Sequence, residues 1–425
     1  MDNEHGRSST GRQIFRDSFA HGVTGPDNRS VPFITIARRG PLLLLTLLAA
    51  ALVVGCREER AELAGFVPEP RATAGEARSF LVGFSSIPGE LTEKAYLGTY
   101  DLAANQGEAL LIQRPPAWAD FLPGASVSQA LRDQTLAEQR AAELRGLRLV
   151  YVLDVFDPNG RQRLQGLPPS HAGLTLADDD LRQALRADAL FVARNVQPAY
   201  LVIGHEVNVT FEHNSEAYQQ FVEIYAETYD ALQEASPETR ILTSFQYEEL
   251  LGVIPWLPAH APRWELFNDF EGRLDVLGIT SYPSFAFAVA RKVEPFYYRQ
   301  IREHTDLPIA FVSTGYASGT GREGINASTP AEQRRYLQRL FDDADRLGSP
   351  LLIWLLARDL SYATGPPEDL VASLGLMEVD GSPKEAWPAW ESAAVRPYNP
   401  TKAEQARLIR IEVEARSATA ESDGN

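Results

Sequence analysis

Carboxyl, amide and aromatic side chains recur in this sequence directly after short apolar segments. The richest of these places reads Gly204-His205-Glu206-Val207-Asn208. Carboxylates and amides can bind hydroxyl groups, and flat aromatic rings can stack on C–H faces, so these residue types suit a sugar ring. The candidate binding side chains are His205, Asn208, Gln246, Tyr247, Tyr282, Trp118, Trp354, Asp154, Glu248 and Asp359. Core packing is an equal alternative for each of the four aromatic residues.

Glu206 is the leading candidate for acid–base chemistry, because it ends an apolar segment and does not lie on a helix face. Hydrolysis of a glycosidic bond needs two carboxyl groups, about 5–5.5 Å apart in retaining enzymes and about 6.5–9.5 Å apart in inverting ones. Asp154, Asp157, Glu248 and Asp359 are the candidates for the second group. A salt bridge at the rim is the alternative role for Glu206, and a structural or binding role is the alternative for the others.

Two other chemistries are less well supported by the residue pattern. His205 and His213 do not have the spacing of the zinc motif His-Glu-x-x-His, so hydrogen-bonding imidazoles are favoured over metal ligands. Ser313 is not surrounded by the Gly-x-Ser-x-Gly motif of serine hydrolases. We therefore expect neither a metal nor another cofactor.

Eight short segments rich in Val, Ile and Leu precede these side chains. Their near-continuous apolar character is typical of parallel strands that are buried on both faces. The intervals between them leave room for a helix in each. The predicted strands are Ser79–Gly83, Glu108–Gln113, Leu147–Leu153, Ala199–Gly204, Arg240–Ser244, Leu274–Thr280, Pro308–Val312 and Pro350–Leu355.

Several helices can be predicted in these intervals from apolar positions at helical spacing. One apolar stripe comprises Leu181, Leu185, Ala189 and Val192, and a second comprises Phe221, Ile224, Tyr225, Thr228 and Leu232. Thr329-Pro330-Ala331-Glu332 has the pattern of a capping box that opens a further helix.

The predicted fold class is therefore α/β, a (β/α)8 TIM barrel, over residues 78–392. A doubly wound sheet is the alternative, but it would normally show a glycine-rich phosphate-binding turn after its first strand, and Gly83-Phe84-Ser85-Ser86 is not one. In a TIM barrel the active site lies at the carboxyl ends of the strands, where the candidate side chains are predicted.

About 310 residues, from Phe80 to Trp390, resemble the clan A glycoside hydrolases, and among them the arabinogalactan endo-galactanase type. The fourth strand of that clan ends in Asn-Glu, and the resemblance implies that Glu206 is the general acid/base. Tyr282-Pro283 resembles the end of the sixth strand. The closing segment Leu374-Gly375-Leu376-Met377-Glu378-Val379-Asp380-Gly381-Ser382-Pro383-Lys384-Glu385-Ala386-Trp387 resembles the usual ending of these chains.

The sequence departs from the clan pattern at two places. The seventh strand of an active member ends in the nucleophilic Glu, but here Ser313 occupies that position, and His205 stands where Asn is usual. An unactivated serine hydroxyl is a poor nucleophile and supplies no negative charge. Two hypotheses follow: a glycosidase that uses Glu206 with a relocated carboxylate, or a pseudoenzyme that binds a glycan without cleaving it.

An apolar run from Gly40 to Gly55 follows Arg38-Arg39 and ends at Cys56, the single cysteine. Its sixteen residues are fewer than the roughly 20 that a membrane-spanning helix needs. Val53-Val54-Gly55-Cys56 resembles a bacterial lipobox, which implies lipidation of Cys56.

Residues 1–56 are then a lipoprotein signal peptide, although their long polar start indicates a translation start farther downstream. Residues 57–77 are predicted to be a flexible tether, and residues 393–425 a C-terminal helix and a disordered tail.

The charge of the chain excludes some partners. The full chain carries a net charge of −17, and removing residues 1–56, which carry a net charge of +2, changes it to −19. A chain this acidic without a block of Lys and Arg is not suited to bind nucleic acid. We expect a monomer in the bacterial cell envelope whose partners are a carbohydrate and, through Cys56, a membrane. By analogy with lipoprotein sorting, Arg57 in place of Asp after the cysteine implies delivery to the outer membrane in a Gram-negative host, facing the periplasm or the exterior.

Overall fold

A computed structural model describes Phe66 and residues 72–321, 326–363, 365 and 368–402. All of these residues belong to one compact unit, Leu42–Asn425, and the second unit, Met1–Pro41, lies outside the described residues. Cys56 and the predicted signal peptide also lie outside them, as does most of the predicted C-terminal tail. In the part of the chain that is described, no helix is both long and apolar enough to cross a membrane.

Nine parallel strands form one sheet in the described residues. They are β1 (Leu81–Ser85), β2 (Ala109–Arg114), β3 (Arg148–Leu153), β4 (Tyr200–Ile203), β5 (Arg240–Leu242), β6 (Ser244–Gln246), β7 (Leu277–Ser281), β8 (Ile309–Thr314) and β9 (Leu351–Trp354). Their order in the sheet is β5-β4-β3-β2-β1-β9-β8-β7-β6. The two outermost strands, β5 and β6, are separated in sequence only by Thr243, so the sheet closes on itself through a single interrupted strand.

This closed sheet confirms the predicted TIM barrel, because counting β5 and β6 as one strand gives the eight predicted strands. Each predicted strand is found, displaced by at most three residues at its start, and its apolar side chains are buried. The longest regular register pairs Ala109 with Arg148 through to Arg114 with Leu153. Burial on both faces explains why these strands lack the alternating pattern of a half-exposed sheet.

Helices cover most of the intervals between strands. They are α1 (Glu93–Gln106), α2 (Trp118–Phe121), α3 (Gln129–Glu143), α4 (Asp179–Asn195), α5 (Val207–His213), α6 (Ser215–Ala235), α7 (Tyr247–Leu250), α8 (Pro330–Leu347) and α9 (Trp387–Ala394). The two predicted apolar stripes lie on α4 and α6, and every one of their residues is buried. The helical periodicity was therefore a sound guide to which faces pack on the barrel.

The expectation of a helix in every interval is wrong between β7 and β8. The described residues of that interval form only short 3₁₀ turns, at Pro283–Phe285, Ala290–Lys292 and Arg299–Glu303. Pro283 and Pro295 lie in this interval. Because proline lacks an N–H group and clashes with the preceding turn, an α-helix cannot run through Pro295 without a break.

The segments that flank the barrel are attached to each other. The Arg78 N–H donates to the Pro397 carbonyl and the Asn399 N–H donates to the Arg78 carbonyl, each at 2.9 Å. The Ala74 N–H likewise donates to the Val395 carbonyl at 2.9 Å. Ordered contacts thus extend beyond residues 78 and 392, into the end of the predicted tether and the start of the predicted C-terminal segment.

Candidate functional site

The carboxyl end of β4 carries a buried ion pair between Glu206 and Arg161. The guanidinium donates to Glu206 Oε2 from Nη2 at 2.9 Å and from Nε at 3.1 Å. Its Nη1 donates to Asp154 Oδ1 at 2.7 Å, and Gln113 Nε2 donates to the other oxygen of Asp154 at 2.8 Å. The Glu206 side chain is 16% exposed and the Arg161 side chain 5%. Arg161 therefore joins two of the predicted site carboxylates.

The backbone turn after β4 places Glu206 at the barrel mouth. Gly204 has φ +74°, and a Cβ there would lie 2.4 Å from a ring carbon of Phe221, so no larger residue fits. Glu206 itself has φ 53° and ψ 47°, a left-handed conformation that is uncommon for residues other than glycine. Its N–H donates to Ser244 Oγ at 3.1 Å, which ties the turn to β6.

A turn after β3 brings Arg161 back to Glu206. The Asp157 carboxylate accepts the Asn159 N–H at 2.7 Å, and the Arg161 N–H donates to the Asp157 carbonyl at 2.8 Å. Arg161 also has a positive φ, 51°. Arg161 is not among the site residues predicted from the sequence; the available signal was the turn-forming Asp157-Pro158-Asn159-Gly160 that precedes it.

The surroundings of Glu206 keep its carboxylate ionised. Burial alone would raise its pKa, but the Arg161 guanidinium and the Thr280 hydroxyl outweigh burial and lower the pKa below its usual value. Thr280 Oγ1 donates to Glu206 Oε1 at 2.8 Å. The His205 Nε2 atom is 3.9 Å from the same oxygen, and its Nδ1 contacts Ser244 Oγ at 3.0 Å. Burial lowers the pKa of His205, which favours its neutral form.

Ser313, at the predicted nucleophile position, is buried at the end of β8. Its hydroxyl lies 2.8 Å from the Tyr282 hydroxyl. The register of β7 against β8 shifts here, since Ile279 pairs with Phe311 but Thr280 pairs with Ser313. A bulge of this kind re-aims the side chains beside it. Burial, and then the nearby charge of Glu206, raises the pKa of Tyr282, so this phenol stays neutral and can donate a hydrogen bond.

Glu248 is a fully buried carboxylate that is saturated by neighbouring donors. It accepts Ser281 Oγ at 2.6 Å, Tyr297 Oη at 3.0 Å, and the Tyr282 N–H and Gln246 Nε2 at 2.8 Å each. Burial raises its pKa. Its position under Tyr282 indicates that it supports the loop after β7, and its oxygens are occupied by these donors.

Several predicted binding side chains are placed within the protein interior. Trp118, Tyr247 and Trp354 are at most 1% exposed. The Trp118 and Trp354 indoles donate to the Gln165 and Leu374 carbonyls, each at 2.7 Å. Burial on this scale leaves no ring face for a sugar.

Three polar candidates are likewise engaged in internal contacts. Asn208 Nδ2 donates to the Gln246 carbonyl at 2.9 Å, and Asn208 Oδ1 accepts the Gln246 N–H at 2.7 Å, which locks α5 to β6. Asp359 forms an ion pair with Lys384 and accepts the Gly375 N–H at 2.9 Å. Burial raises the pKa of Asp359 to about 6, against the opposing effect of Lys384.

A row of aromatic rings extends outward from Tyr282. The centroid of Phe285 is 5.3 Å from that of Tyr282, and the centroid of Trp256 is 5.5 Å from that of Phe285. Trp256 is 40% exposed, so the row ends in an accessible indole. This row was not predicted from the sequence, because Trp256 and Phe285 lie in separate segments that only the tertiary structure brings together.

Two cavities lie at the other end of the barrel. One, of about 610 Å³, is lined by residues such as Leu147, Pro198 and Thr239. The other, of about 800 Å³, is lined by Leu277, Pro308 and Pro350 among others. These residues lie at the amino ends of the strands, the face opposite to the one at which active sites lie in this fold.

Comparison with known proteins supports the fold. No protein-family model and no curated protein matches the sequence. The exo-β-1,4-mannosidase Op5Man5 from Opitutaceae bacterium strain TAV5 has a TM-score of 0.57 and 17% identity, covering 80% of this chain and 63% of its own. This chain thus spans less than two thirds of the mannosidase.

Two further solved structures are similar over most of their own length. A GH5_18 protein from Streptomyces cattleya, in complex with GlcNAc, has a TM-score of 0.53 and 16% identity, covering 79% of this chain and 88% of its own. Xylanase 10B from Thermotoga maritima has a TM-score of 0.50 and 13% identity, with coverages of 77% and 97%. At these identities the likeness establishes a glycoside-hydrolase-like barrel fold.

Proposed function

We propose that this protein binds an oligosaccharide at the carboxyl end of its barrel and does not hydrolyse it by the retaining mechanism. The observation that carries the proposal is the ion pair of Glu206 with Arg161. A general acid must hold a proton at the working pH, and its ideal pKa lies near that pH. Arg161 and its neighbours lower the pKa of Glu206, so this residue is suited to accept hydrogen bonds and is poorly suited to donate a proton.

The position of Ser313 supports the same proposal. Retaining hydrolysis needs a carboxylate that faces the anomeric carbon as positive charge develops there. The Ser313 hydroxyl instead shares a hydrogen bond with Tyr282, a neutral phenol. Neither group supplies the negative charge that an oxocarbenium-like transition state requires.

The glycan is proposed to lie along the aromatic row Trp256–Phe285–Tyr282. The exposed indole of Trp256 offers a flat apolar surface for a sugar ring, and the ionised Glu206 offers an acceptor for hydroxyl groups. The Streptomyces cattleya structure holds GlcNAc, and two of the structurally similar proteins are a mannosidase and a xylanase. These neighbours make a carbohydrate the first ligand class to test.

A hydrolysis assay tests the catalytic part of the proposal. With β-linked aryl glycosides of mannose, N-acetylglucosamine, galactose and xylose, we expect the wild type and Glu206→Gln to release product no faster than buffer alone. Turnover by the wild type that is lost in Glu206→Gln would refute the proposal. It would also make Asp154, which shares Arg161 with Glu206, the first candidate for the second catalytic carboxylate.

A binding assay tests the site itself. GlcNAc and its β-linked oligomers, and manno- and xylo-oligosaccharides, serve as probes in calorimetric titrations. We expect Trp256→Ala to weaken binding about fivefold to tenfold, which corresponds to the loss of one aromatic contact of about 1 kcal/mol. Phe296→Ala is the matched control, because Phe296 is also exposed, at 62%, but lies outside the row. Equal effects of the two variants, or no binding of any probe, would contradict the proposed site.

We also propose that a lipid on Cys56 holds the barrel at a bacterial membrane. The support is the sequence alone: an apolar run that ends in the single cysteine. In this arrangement the acidic barrel faces the periplasm or the exterior, where glycans are accessible.

A further inference from the structure

A group of side chains apart from the Glu206 ion pair has the composition of a metal centre. Glu212, Glu249 and His260 place one ligand atom each within 4.8 Å of one another. His260 Nε2 is 3.8 Å from Glu212 Oε1 and 4.0 Å from Glu249 Oε1. Ligand atoms around a tetrahedral zinc ion with bonds of about 2.0–2.2 Å lie about 3.3–3.5 Å apart. The two separations from His260 exceed this spacing by about 0.3–0.7 Å, and the separation of the two carboxylate oxygens is at most 4.8 Å, so the side chains must close on the ion by up to about 1.5 Å.

The Glu249 carboxylate is buried and has no hydrogen-bond donor in the described structure. Its side chain is only 5% exposed. Among the residues that the structure describes, none donates a hydrogen bond to its carboxylate, and His260 Nε2 lies 4.0 Å from Oε1, beyond hydrogen-bond distance. A buried carboxylate without donors is costly. Glu248, its neighbour in the chain, receives four donors, so the absence of donors to Glu249 is specific to this side chain.

His260 is oriented as a metal ligand would be. Its Nδ1 atom lies 2.8 Å from the Ala261 carbonyl oxygen, which fixes the proton on Nδ1 and leaves Nε2 as the free acceptor. The Nε2 atom is buried and has no hydrogen-bond partner in the described structure. A ring N–H to a backbone carbonyl is the usual outer contact of a metal-binding histidine.

The fold holds these three residues on separate elements that begin at the barrel mouth. Glu212 lies on α5, which follows β4 directly, and Glu249 lies on α7, which follows β6 directly. Gly252 packs beneath His260: it has φ +65°, and a Cβ there would lie 2.3 Å from the His260 carbonyl oxygen. Arg263 Nη2 donates to Glu212 Oε2 at 3.0 Å, and Arg263 Nε forms an ion pair with Oε1, the oxygen that faces His260, so an ion in the cluster shares this carboxylate with the guanidinium.

From this geometry we infer that Glu212, Glu249 and His260 bind one divalent transition-metal ion, with Zn²⁺ the best fit. Zinc accepts a mixture of imidazole nitrogen and carboxylate oxygen, and sites with three protein ligands leave a fourth position for water. Calcium and magnesium prefer oxygen ligands and larger coordination numbers. The single guanidinium of Arg263 does not balance two carboxylates, so the cluster retains one net negative charge for the ion.

The test measures zinc itself on the full-length protein after removal of metals with a chelator. Equilibrium dialysis against Zn²⁺ followed by elemental analysis should give one ion per chain for the wild type. Glu249→Gln and His260→Asn should each lower the affinity at least tenfold. His171→Asn is the matched control, because His171 pairs only with the adjacent Ser170 at the surface and should leave binding unchanged. Calcium in place of zinc should bind far more weakly.

Thermal unfolding separates a metal-binding role from a structural one. We expect zinc to raise the midpoint of the wild type but not that of Glu249→Gln. Without metal, Glu249→Gln should be at least as stable as the wild type, because it removes a buried charge that has no donor. No bound zinc in the wild type, or zinc binding that survives both cluster variants, would overturn the inference. So would a metal-free Glu249→Gln protein that is less stable while its zinc binding is unchanged.

Discussion

The pair Arg161–Glu206 joins two residues whose backbones are both left-handed. Each such residue costs on the order of 1–3 kcal/mol and persists only where the surrounding structure requires it. Here the requirement is visible: the turn at Gly204 aims Glu206 inward, and the turn after β3 aims Arg161 toward it. Four non-glycine residues with positive φ occur in the described chain, and two of them form this ion pair. That coincidence argues that the pair is a functional or organising feature of the barrel mouth.

At the residue scale, we expect Glu206→Gln to destabilise the protein at pH 7 by about 1–3 kcal/mol, because Arg161 then keeps only Asp154 as its charged partner. The pKa of Glu206 is lowered in the folded state, so its contribution is fully present above its unfolded value and is lost as pH falls through the folded one. Denaturant unfolding of the wild type and the variant from pH 7 to about pH 2 should therefore show a constant difference down to about pH 4.5 and a shrinking one below it.

The control for this measurement is Glu216→Gln, which changes an exposed carboxyl group in the first turn of α6. It should alter stability by less than about 0.5 kcal/mol. A Glu206→Gln effect that is the same at every pH would show that the ionised carboxylate is not what stabilises the site.

At the scale of elements, the short helix α2 is attached to α4 through one buried acid. Asp188 Oδ2 accepts the N–H of Ala117, the residue that precedes α2, at 2.7 Å. Burial raises the pKa of Asp188 to about 7, and Asp120 adds to the rise, while the Ala117 N–H and Arg114 oppose it. Asp188 thus holds a proton through much of the range in which an exposed Asp has lost it.

We expect Asp188→Asn to be more stable than the wild type at pH 8, because the amide oxygen can still accept the Ala117 N–H without the cost of a buried charge. The folded chain keeps the Asp188 proton that the unfolded chain releases, so wild-type stability is lost as pH rises from about 4 to about 7. The rise from 3.8 to about 7 corresponds to at most about 4 kcal/mol. Thermal melts at pH 5 and pH 8 measure it, with the exposed Asp180→Asn on the same helix as control. Equal shifts of the two variants at both pH values would contradict the assignment.

The residues that cap the start of α8 also contact a segment that is distant in the sequence. Thr329 caps the helix as predicted, with its hydroxyl accepting the Glu332 N–H at 3.3 Å. The Glu332 carboxylate does not complete the capping box, since it accepts the Ala290 N–H at 2.8 Å. That bond fastens α8 to the interval between β7 and β8, where 3₁₀ turns replace the expected helix.

At the scale of the whole molecule, the acidic barrel is expected to depend on Cys56 for attachment to a membrane. We expect Cys56→Ala to abolish labelling of the protein with a fatty-acid analogue and to release it from the membrane fraction, because the chain has no other cysteine to accept the lipid. Two acyl chains give stable anchoring, with about 0.8 kcal/mol for each buried CH₂ group. Labelling that is unchanged in the variant would show that the lipobox interpretation is wrong.

The barrel could be predicted because the sequence patterns that specify its strands and helices are local and recur along the chain. Each strand is a continuous apolar run, each long helix has an apolar stripe, and their alternation along the chain leaves few architectures that bury both. The position of Glu206 at the end of β4 followed from the same pattern. The lack of a long helix between β7 and β8 could also have been predicted, because Pro283 and Pro295 lie in that interval of the sequence.

The partners of the site residues were decided only by the tertiary structure. Arg161 reaches Glu206 because two turns adopt positive φ values. The clusters Trp256–Phe285 and Glu212–Glu249–His260 assemble from separate elements that only the fold brings together. From the sequence alone, Trp118 and Trp354 cannot be distinguished from exposed residues that stack on sugars. In the structure they are buried, because neighbouring elements cover them. Periodicity reports which face of a segment is apolar, whereas the ionisation of a carboxylate depends on the charges that the closed barrel brings within a few ångströms of it.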